Sequence, residues 1–275
     1  MKRVLYVNHE VELGGAERSL LDLITGLRRD RFEVHLACSK PGPLAEAAGR
    51  LGATVHDVPM LFAGKLRKLF GLFRAGLRLR KLIRAHGIDI VHTNTLIAGY
   101  CGSLGARLAG IPCVWHVRDL DYPEAAKSVV ARVDLILANS QATASTLRNG
   151  RDLGDKLKIV YNAVPDSFFD QTPAGDAVRR ELALPADESL VGMVGRLDPQ
   201  KGHLEFLDAA KQVLVKRDDV TFLIVGGVLF DGARQRLERY QEQLETHARR
   251  IGIFGKVRFL GQREDVPRLL AAMDV

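Results

Sequence analysis

Residues 191–210, "VGMVGRLDPQKGHLEFLDAA", contain an apolar run, a turn and the start of a helix-like pattern. The apolar run stops at Gly195, and Arg196, Asp198-Pro199, Lys201 and Gly202 follow. A buried strand therefore leaves through two cations with a stiff turn between them, because the Pro199 ring fixes one backbone angle. Ligands of open parallel sheets bind outside the carboxyl ends of strands. Two cations beside a helix N-terminus suit a diphosphate: arginine grips oxygens in pairs and lysine supplies a movable charge. Such a clamp would also stabilise charge on a departing diphosphate. Solvated loop charge is the plainer reading of Arg-x4-Lys alone; the position at a strand end weighs against it.

Working outward, strand and helix patterns alternate. Strand-like runs are "RVLYVN" (3–8), "FEVHLAC" (32–38), "ATVHDVP" (53–59), "DIVHTN" (89–94), "PCVWHVRD" (112–119), "LILANS" (135–140) and "LKIVYNAV" (157–164). Helical spacing is expected over 14–30, 42–52, 64–87, 96–110 and 141–149. This rhythm predicts a parallel, doubly wound sheet in a domain over 1–165. A Pro- and Asp-rich stretch, 166–189, reads as a linker with a brief helical piece. The rhythm resumes with strands at 190–195, 220–227 and 256–261 and helices at 202–216, 231–251 and 264–272. A second α/β domain over 190–275 is thus expected, with about three strands where five or six are usual. "MDV" at 273–275 looks like the opening of another strand, so a fragment is expected.

Composition sets outer limits. A hydrophobic share of 47% with 27% charged residues in 275 residues is ordinary for a two-domain α/β chain. No apolar run of about 18 residues is present, and the N-terminus reads as a strand and not a signal peptide. Cys38, Cys101 and Cys113 are dispersed and form no Cys-x-x-Cys, so neither a disulfide framework nor a zinc site is expected, and a reducing cytoplasm is the default. Residues 1–165 carry 24 Lys and Arg against 15 Asp and Glu, while 166–275 carry 16 against 18. Much of the excess lies in "GKLRKLFGLFRAGLRLRKLIRAHG" (64–87), with eight cations and no acid.

Three further places stand at strand ends. In "VNHEVELGGAERS", Gly14-Gly15 allow close backbone approach, and the N–H groups of the helix start attract phosphate. The spacing is not the dinucleotide fingerprint, which disfavours an NAD dehydrogenase. In "WHVRD", His116 and Arg118 share strand parity, and His116 can donate to a hydroxyl or move a proton. A satisfied strand-end histidine is the plainer alternative. In "LIVGG", Gly226-Gly227 leave room for a planar base or simply form a turn.

Together "GGAE", "WHVRD", "ANS", "VYNAV", "GRLDPQKG", "LIVGG" and "VRFLGQREDVPRLLAAMDV" resemble, in order and along essentially the whole chain, GT4-type glycosyltransferases. The resemblance implies a GT-B fold: two Rossmann-like domains across a cleft, the N-terminal one on the acceptor side and the C-terminal one binding a nucleotide sugar. It implies that Arg196 and Lys201 contact the donor diphosphate and that Gly15 faces it from the other domain. His116 would lie near the transferred sugar, with Gly226-Gly227 and the loop Arg258 to Gly261 near the base. No cofactor and no metal are implied, because cations and helix N-termini hold the diphosphate. The family's Glu-x7-Glu motif would fall beyond Val275, so these residues alone are expected to be inactive. An incomplete second sheet leaves an unpaired edge, which predicts a partner or a homodimer.

The basic segment reads as a surface helix whose stripe of Leu66, Leu69, Phe70, Phe73 and Leu77 faces the core, with Leu72, Leu79 and Ile83 elsewhere. The alternative is docking on anionic lipid, which suits a lipid-linked acceptor. Nucleic acid is disfavoured by 6% aromatic content and the lack of a recognition motif. The expected function is transfer of a sugar, with retention, from a UDP- or GDP-linked donor to a lipid-linked, saccharide or small-molecule acceptor in polysaccharide biosynthesis. A sugar-nucleotide epimerase of the same fold, or a nucleotide-binding module without chemistry, are the alternatives.

Overall fold

The first strand, β1 (Lys2–Val7), sends alternate side chains into two cores. Leu5 and Val7 join one apolar cluster, Val4 and Tyr6 the other. A parallel sheet with helices on both faces requires this of its central strands. The computed structural model describes residues 1–60, 65–120, 126–149, 152–169, 172–185, 187–227 and 234–275. They divide into two compact units, Met1–Val164 and Pro165–Val275.

In the first unit β1 is followed by α1 (Gly15–Gly26), β2 (Phe32–Cys38), α2 (Pro43–Arg50), β3 (Thr54–Asp57), α3 (Lys65–His86) and β4 (Ile90–Thr93). Then come α4 (Leu96–Ala109), β5 (Cys113–Val117), α5 (Ala126–Arg132), β6 (Leu135–Ala138), α6 (Gln141–Arg148) and β7 (Leu157–Ile159). The seven strands pair in parallel in the order β3-β2-β1-β4-β5-β6-β7. The order reverses direction between β1 and β4, which marks the crevice where doubly wound sheets hold ligands. Leu20 and Ile24 of α1 are fully buried against β1 and β2, each contributing roughly 1.5–3 kcal/mol of burial. Helix α5 was not expected from the sequence, and β7 ends at Ile159, leaving Tyr161 and Val164 exposed.

Helix α3 inverts the expected stripe. Phe70 is 63% exposed, Phe73 50% and Leu77 39%, whereas Ala75, Leu79 and Ile83 are buried and Leu72 packs beside them. The side chains of Leu66 and Leu69 lie outside the described residues. The reason is close helix packing. A Cβ on Gly76 would stand 2.7 Å from Leu104 Cδ2 of α4, and one on Gly105 of α4 would stand 2.8 Å from Leu79 Cβ. The small face of α3 therefore meets α4, and the phenylalanines turn outward with the cations.

The second unit holds α7 (Thr172–Glu181), β8 (Ser189–Val194), α8 (His203–Leu214), β9 (Val220–Val225), α9 (Arg234–Arg250), β10 (Val257–Gly261) and α10 (Val266–Ala272). Its parallel sheet has the order β10-β9-β8. Leu207, Phe222, Ile224 and Leu244 make the core on one face; Val178, Leu190, Leu223, Val225 and Leu269 make it on the other. Val178 belongs to α7, so the helical piece expected within the linker 166–189 is packed on α10 as part of the second unit. Arg179 secures it, donating to the Ala272 carbonyl at 3.0 Å and to Asp274 at 2.7 Å. Beside β8, Asp274 N–H donates to the Leu190 carbonyl and Gly192 N–H to that of Val275.

Candidate functional site

At the carboxyl edge of the first sheet a polar network is buried beneath the β1–α1 turn. Asn8 follows β1 and Asn94 follows β4, the two strands at the reversal. Both are fully buried, and the Asn94 amide donates to Asn8 Oδ1 at 3.0 Å and to the Ala16 carbonyl at 3.0 Å. Asn8 donates in turn to Glu17 Oε1 at 3.1 Å, and Glu17 Oε2 accepts the Gly14 N–H at 3.1 Å. A buried carboxylate thus fixes the first turn of α1, and unsatisfied it would be costly. Arg118, just past β5, ties further strand ends to this core. Its Nε donates to Asn94 Oδ1 at 2.9 Å, and its Nη1 to Ser19 at 2.8 Å and Asn162 at 2.9 Å. Asn139 after β6 donates to the Arg118 carbonyl at 3.3 Å. Burial brings the guanidinium down to about 10, opposed by Glu17 and Asp119, so it remains a cation at neutral pH.

His116 lies next to Arg118, as strand parity predicts. Its Nδ1 is 3.3 Å from Arg118 Nη2. Because guanidinium only donates, Nδ1 is the acceptor, and the proton of the neutral ring sits on Nε2. Nε2 is buried with no hydrogen-bond partner among the described residues. Burial, then Arg118 and His92, push His116 down to about 3. The side chain is therefore a neutral donor, not a cation or a base held ready by a carboxylate.

The two glycines of the turn are unequal. The N–H of Gly14 is taken by Glu17, so Gly14 is not available to a phosphate in the way expected for the pair. Gly15 is exposed, and a Cβ there would meet nothing within 4 Å, while one on Gly14 would sit 2.8 Å from Glu17 Oε2. Gly14→Ala is expected to destabilise the protein by about 1–2 kcal/mol through the disturbed cap. Gly15→Ala should leave the denaturation midpoint unchanged or slightly raised, since alanine favours the helix, while weakening any ligand that approaches the turn. Urea melts and nucleotide titrations of the two variants separate these outcomes; equal stability loss in both would contradict the division of roles.

In the second unit, β8 runs out at Val194, and Arg196 Nη2 pairs with Asp198 Oδ2 at 3.0 Å. Asp198 also accepts the Gln200 N–H at 3.1 Å and caps the short 3-10 turn Pro199–Lys201, which leads into α8. One carboxylate thus shapes the turn and aims the guanidinium. Lys201 is exposed on that turn. Gly226 follows β9, where a Cβ would come within 1.7 Å of the Gly195 carbonyl oxygen, and Gly227 packs on Gln262. Gly226 N–H donates to the Gly261 carbonyl at 2.9 Å, which draws the end of β10 to the same edge. Gly226 therefore has a packing reason of its own, whatever binds beside it. The sequence brought forward His116, Gly15, Arg196 and Lys201 but not Asn8, Glu17, Asn94, Arg118's partners or Asp198.

Three ring pKa values lie well below the ordinary 6.5: His116 near 3, and His92 and His56 near 4, in each case chiefly through burial. An unfolded chain binds protons at these rings near pH 6.5, while the native one does not until far lower. Their contribution to stability is thus complete above about pH 6.5 and lost as pH falls toward 4 and 3. Thermal melts should show a midpoint that rises from pH 4 to 6.5 and levels off; a midpoint flat across that range would contradict neutral burial.

The two parallel, helix-covered sheets define an α/β protein with Rossmann-like units, as in the GT-B class. The family model for Glycosyltransferase Family 4 matches residues 13–168, and that for Glycosyl transferases group 1 matches 176–275. The chain belongs to Glycosyltransferase Family 4. It is 28% identical over 96% of its length to UDP-Gal:alpha-D-GlcNAc-diphosphoundecaprenol alpha-1,3-galactosyltransferase of Escherichia coli, spanning 69% of that protein. It is 29% identical over 88% of its length to D-inositol 3-phosphate glycosyltransferase of Salinispora tropica, spanning 52% of it. Among solved structures, Anabaena Alr3699/HepE in complex with UDP and glucose superposes with a TM-score of 0.81 at 26% identity, over all of this chain and 73% of that one. Among the described residues no helix is long and apolar enough to cross a membrane.

Proposed function

We propose that the protein transfers a sugar, with retention, from a UDP- or GDP-linked donor to a lipid-linked, saccharide or small-molecule acceptor, at the cytoplasmic side of the membrane. The observation that carries this reading is the capped turn Arg196–Lys201 at the carboxyl end of β8, which offers a guanidinium, an ammonium and a following helix start. When the bond between sugar and diphosphate breaks, charge develops on the departing diphosphate. Arg196 and Lys201 stabilise that charge without a metal or other cofactor. On the first unit, the His116 Nε2–H, held in direction by Arg118, is the donor offered to a substrate hydroxyl, and exposed Gly15 leaves the start of α1 open to a ligand. Gly226-Gly227 and the end of β10 border the base. The UDP complexes of Alr3699/HepE and the UDP-galactose-dependent relative favour a uridine nucleotide.

Incubating the protein with nucleotide sugars and candidate acceptors tests this. Release of nucleoside diphosphate with an α-linked product from an α-linked donor supports it. Isomerised nucleotide sugar without acceptor would favour an epimerase, and binding with no turnover a non-catalytic module; either result overturns the transferase reading.

The outer face of α3 supports a second part of the proposal, contact with anionic lipid. Phe70, Phe73 and Leu77 stand exposed among Arg74, Arg78, Lys81 and Arg84, and the Arg74 guanidinium lies 5.8 Å from the Phe70 ring centre. Cations near an anionic surface contribute about 1 kcal/mol each. Co-sedimentation with phosphatidylglycerol vesicles should fall with added salt and drop sharply in Phe70→Ser/Phe73→Ser and Arg74→Glu/Arg78→Glu. Equal sedimentation of both variants and the wild type would reject it.

A further inference from the structure

Outside the carboxyl-edge network, the first unit gathers three imidazoles that no step above uses. His35 on β2, His56 on β3 and His86 in the last turn of α3 each present a ring nitrogen, and the three nitrogens lie within 4.8 Å of one another. The His35 and His56 rings lie nearly coplanar, edge to edge, with centres 5.2 Å apart and planes 6° from parallel. The His86 ring lies 4.6 Å from that of His56 and 5.4 Å from that of His35. We propose that these three histidines form a binding site for a divalent transition metal, zinc by ligand type, that clasps the end of α3 to the edge strand of the sheet.

The orientation of His35 favours this. The ring is buried, and its Nε2 is 3.0 Å from Glu33 Oε1. A carboxylate only accepts, so Nε2 carries the proton and Nδ1 holds the lone pair directed at His56 Nε2. Arg3 Nε fixes the other carboxylate oxygen at 3.0 Å, leaving Oε1 for His35. A ligating histidine backed by a carboxylate is how metal sites fix ring direction and raise basicity. His35 Nδ1 and His56 Nε2 are 2.9 Å apart, bridged by one proton. Metal–nitrogen bonds of about 2.0–2.1 Å at tetrahedral angles would set the pair roughly 3.3 Å apart. Exchanging the shared proton for the ion therefore takes a few tenths of an ångström of separation and a turn of the two rings, whose nitrogens face each other head-on, toward a common apex. Three neutral nitrogens leave a fourth position for water, and exposed His86 provides the way in. The neighbouring cation Lys40 directs its ammonium to the Val55 carbonyl at 2.8 Å.

The test uses chain stripped of metal and free of any polyhistidine tag, titrated with Zn²⁺ by calorimetry and with Co²⁺ by visible absorption. One ion per chain, cobalt bands of tetrahedral intensity and a raised melting temperature are expected. His56→Ala and His86→Ala should each lose the cobalt bands and weaken Zn²⁺ at least tenfold, with unchanged circular dichroism. Glu33→Gln should weaken it by about 10–100-fold. These positions are chosen because buried His35 has no substitution without a packing cost. No stoichiometric ion in the wild type, or binding undiminished in His56→Ala and His86→Ala, overturns the assignment.

Discussion

Arg196→Ala is expected to abolish most of the thermal stabilisation that a nucleoside diphosphate confers on this protein. The guanidinium leaves β8 half-buried and is aimed by Asp198 at 3.0 Å. A charge-assisted hydrogen bond is worth about 1.5–3 kcal/mol, and a paired grip on a diphosphate uses two. Loss of the side chain also leaves Asp198 without its partner, facing the anion. Affinity should fall at least about 100-fold, since each 1.4 kcal/mol is a factor of ten. Arg196→Lys keeps the charge but not the fork and should recover only part of it. Lys201→Ala, on the exposed turn, should lose about tenfold. The fold itself should survive, because neither side chain is in an apolar core. UDP and GDP titrations followed by melting temperature measure all three; unchanged shifts in both alanine variants would remove the diphosphate clamp from the account.

Gly226→Ala is expected to cause the largest loss of stability. The added methyl would lie 1.7 Å from the carbonyl oxygen of Gly195 and 2.7 Å from its carbon. Both are backbone atoms, so no change of rotamer relieves the clash. The ends of β8 and β9 would have to separate, straining the bonds Gly195 N–H to the Val225 carbonyl and Gly226 N–H to the Gly261 carbonyl, each 2.9 Å. A cost of about 3 kcal/mol or more follows, which lowers the melting temperature of a unit this size by about 10 °C or more. Arg196 moves with Gly195, so diphosphate affinity should fall too. Gly227→Ala is the comparison: its methyl would stand 2.8 Å from Gln262 Cβ and 3.3 Å from the Gln262 backbone nitrogen, a milder clash that still requires a shift, and it should cost less than Gly226→Ala. A Gly226→Ala protein as stable as the wild type would contradict the packing at this edge.

Regular elements were legible where local pattern and burial coincide. "FEVHLAC" is β2 to the residue, and the β/α alternation gave the parallel sheets. Reading failed where tertiary contact decides. The Pro- and Asp-rich composition of 166–189 suggested a linker, but Val178 of α7 finds a core made largely by residues 190–272. The phenylalanines of α3 looked like a core face until Gly76 and Gly105 brought the opposite face against α4. The turn Arg196–Lys201 and the pairing of His116 with Arg118 were visible because each is contiguous. The buried network was not, since Asn8, Glu17, Asn94 and Arg118 meet only across the sheet. A signal was nevertheless present: an asparagine follows β1, β4 and β6 directly and β7 closely, at positions 8, 94, 139 and 162. Short amides recurring at strand ends satisfy backbone and side-chain groups where parallel strands stop. The histidine cluster was hidden for the same reason, its members being supplied by three separate elements.

A crystal structure of the protein soaked with UDP or GDP shows whether Arg196 and Lys201 grip the diphosphate. The diphosphate oxygens should lie within hydrogen-bonding distance of the Arg196 guanidinium and the Lys201 ammonium, beside the start of α8. A nucleotide bound elsewhere, with those two side chains directed into solvent, would contradict it.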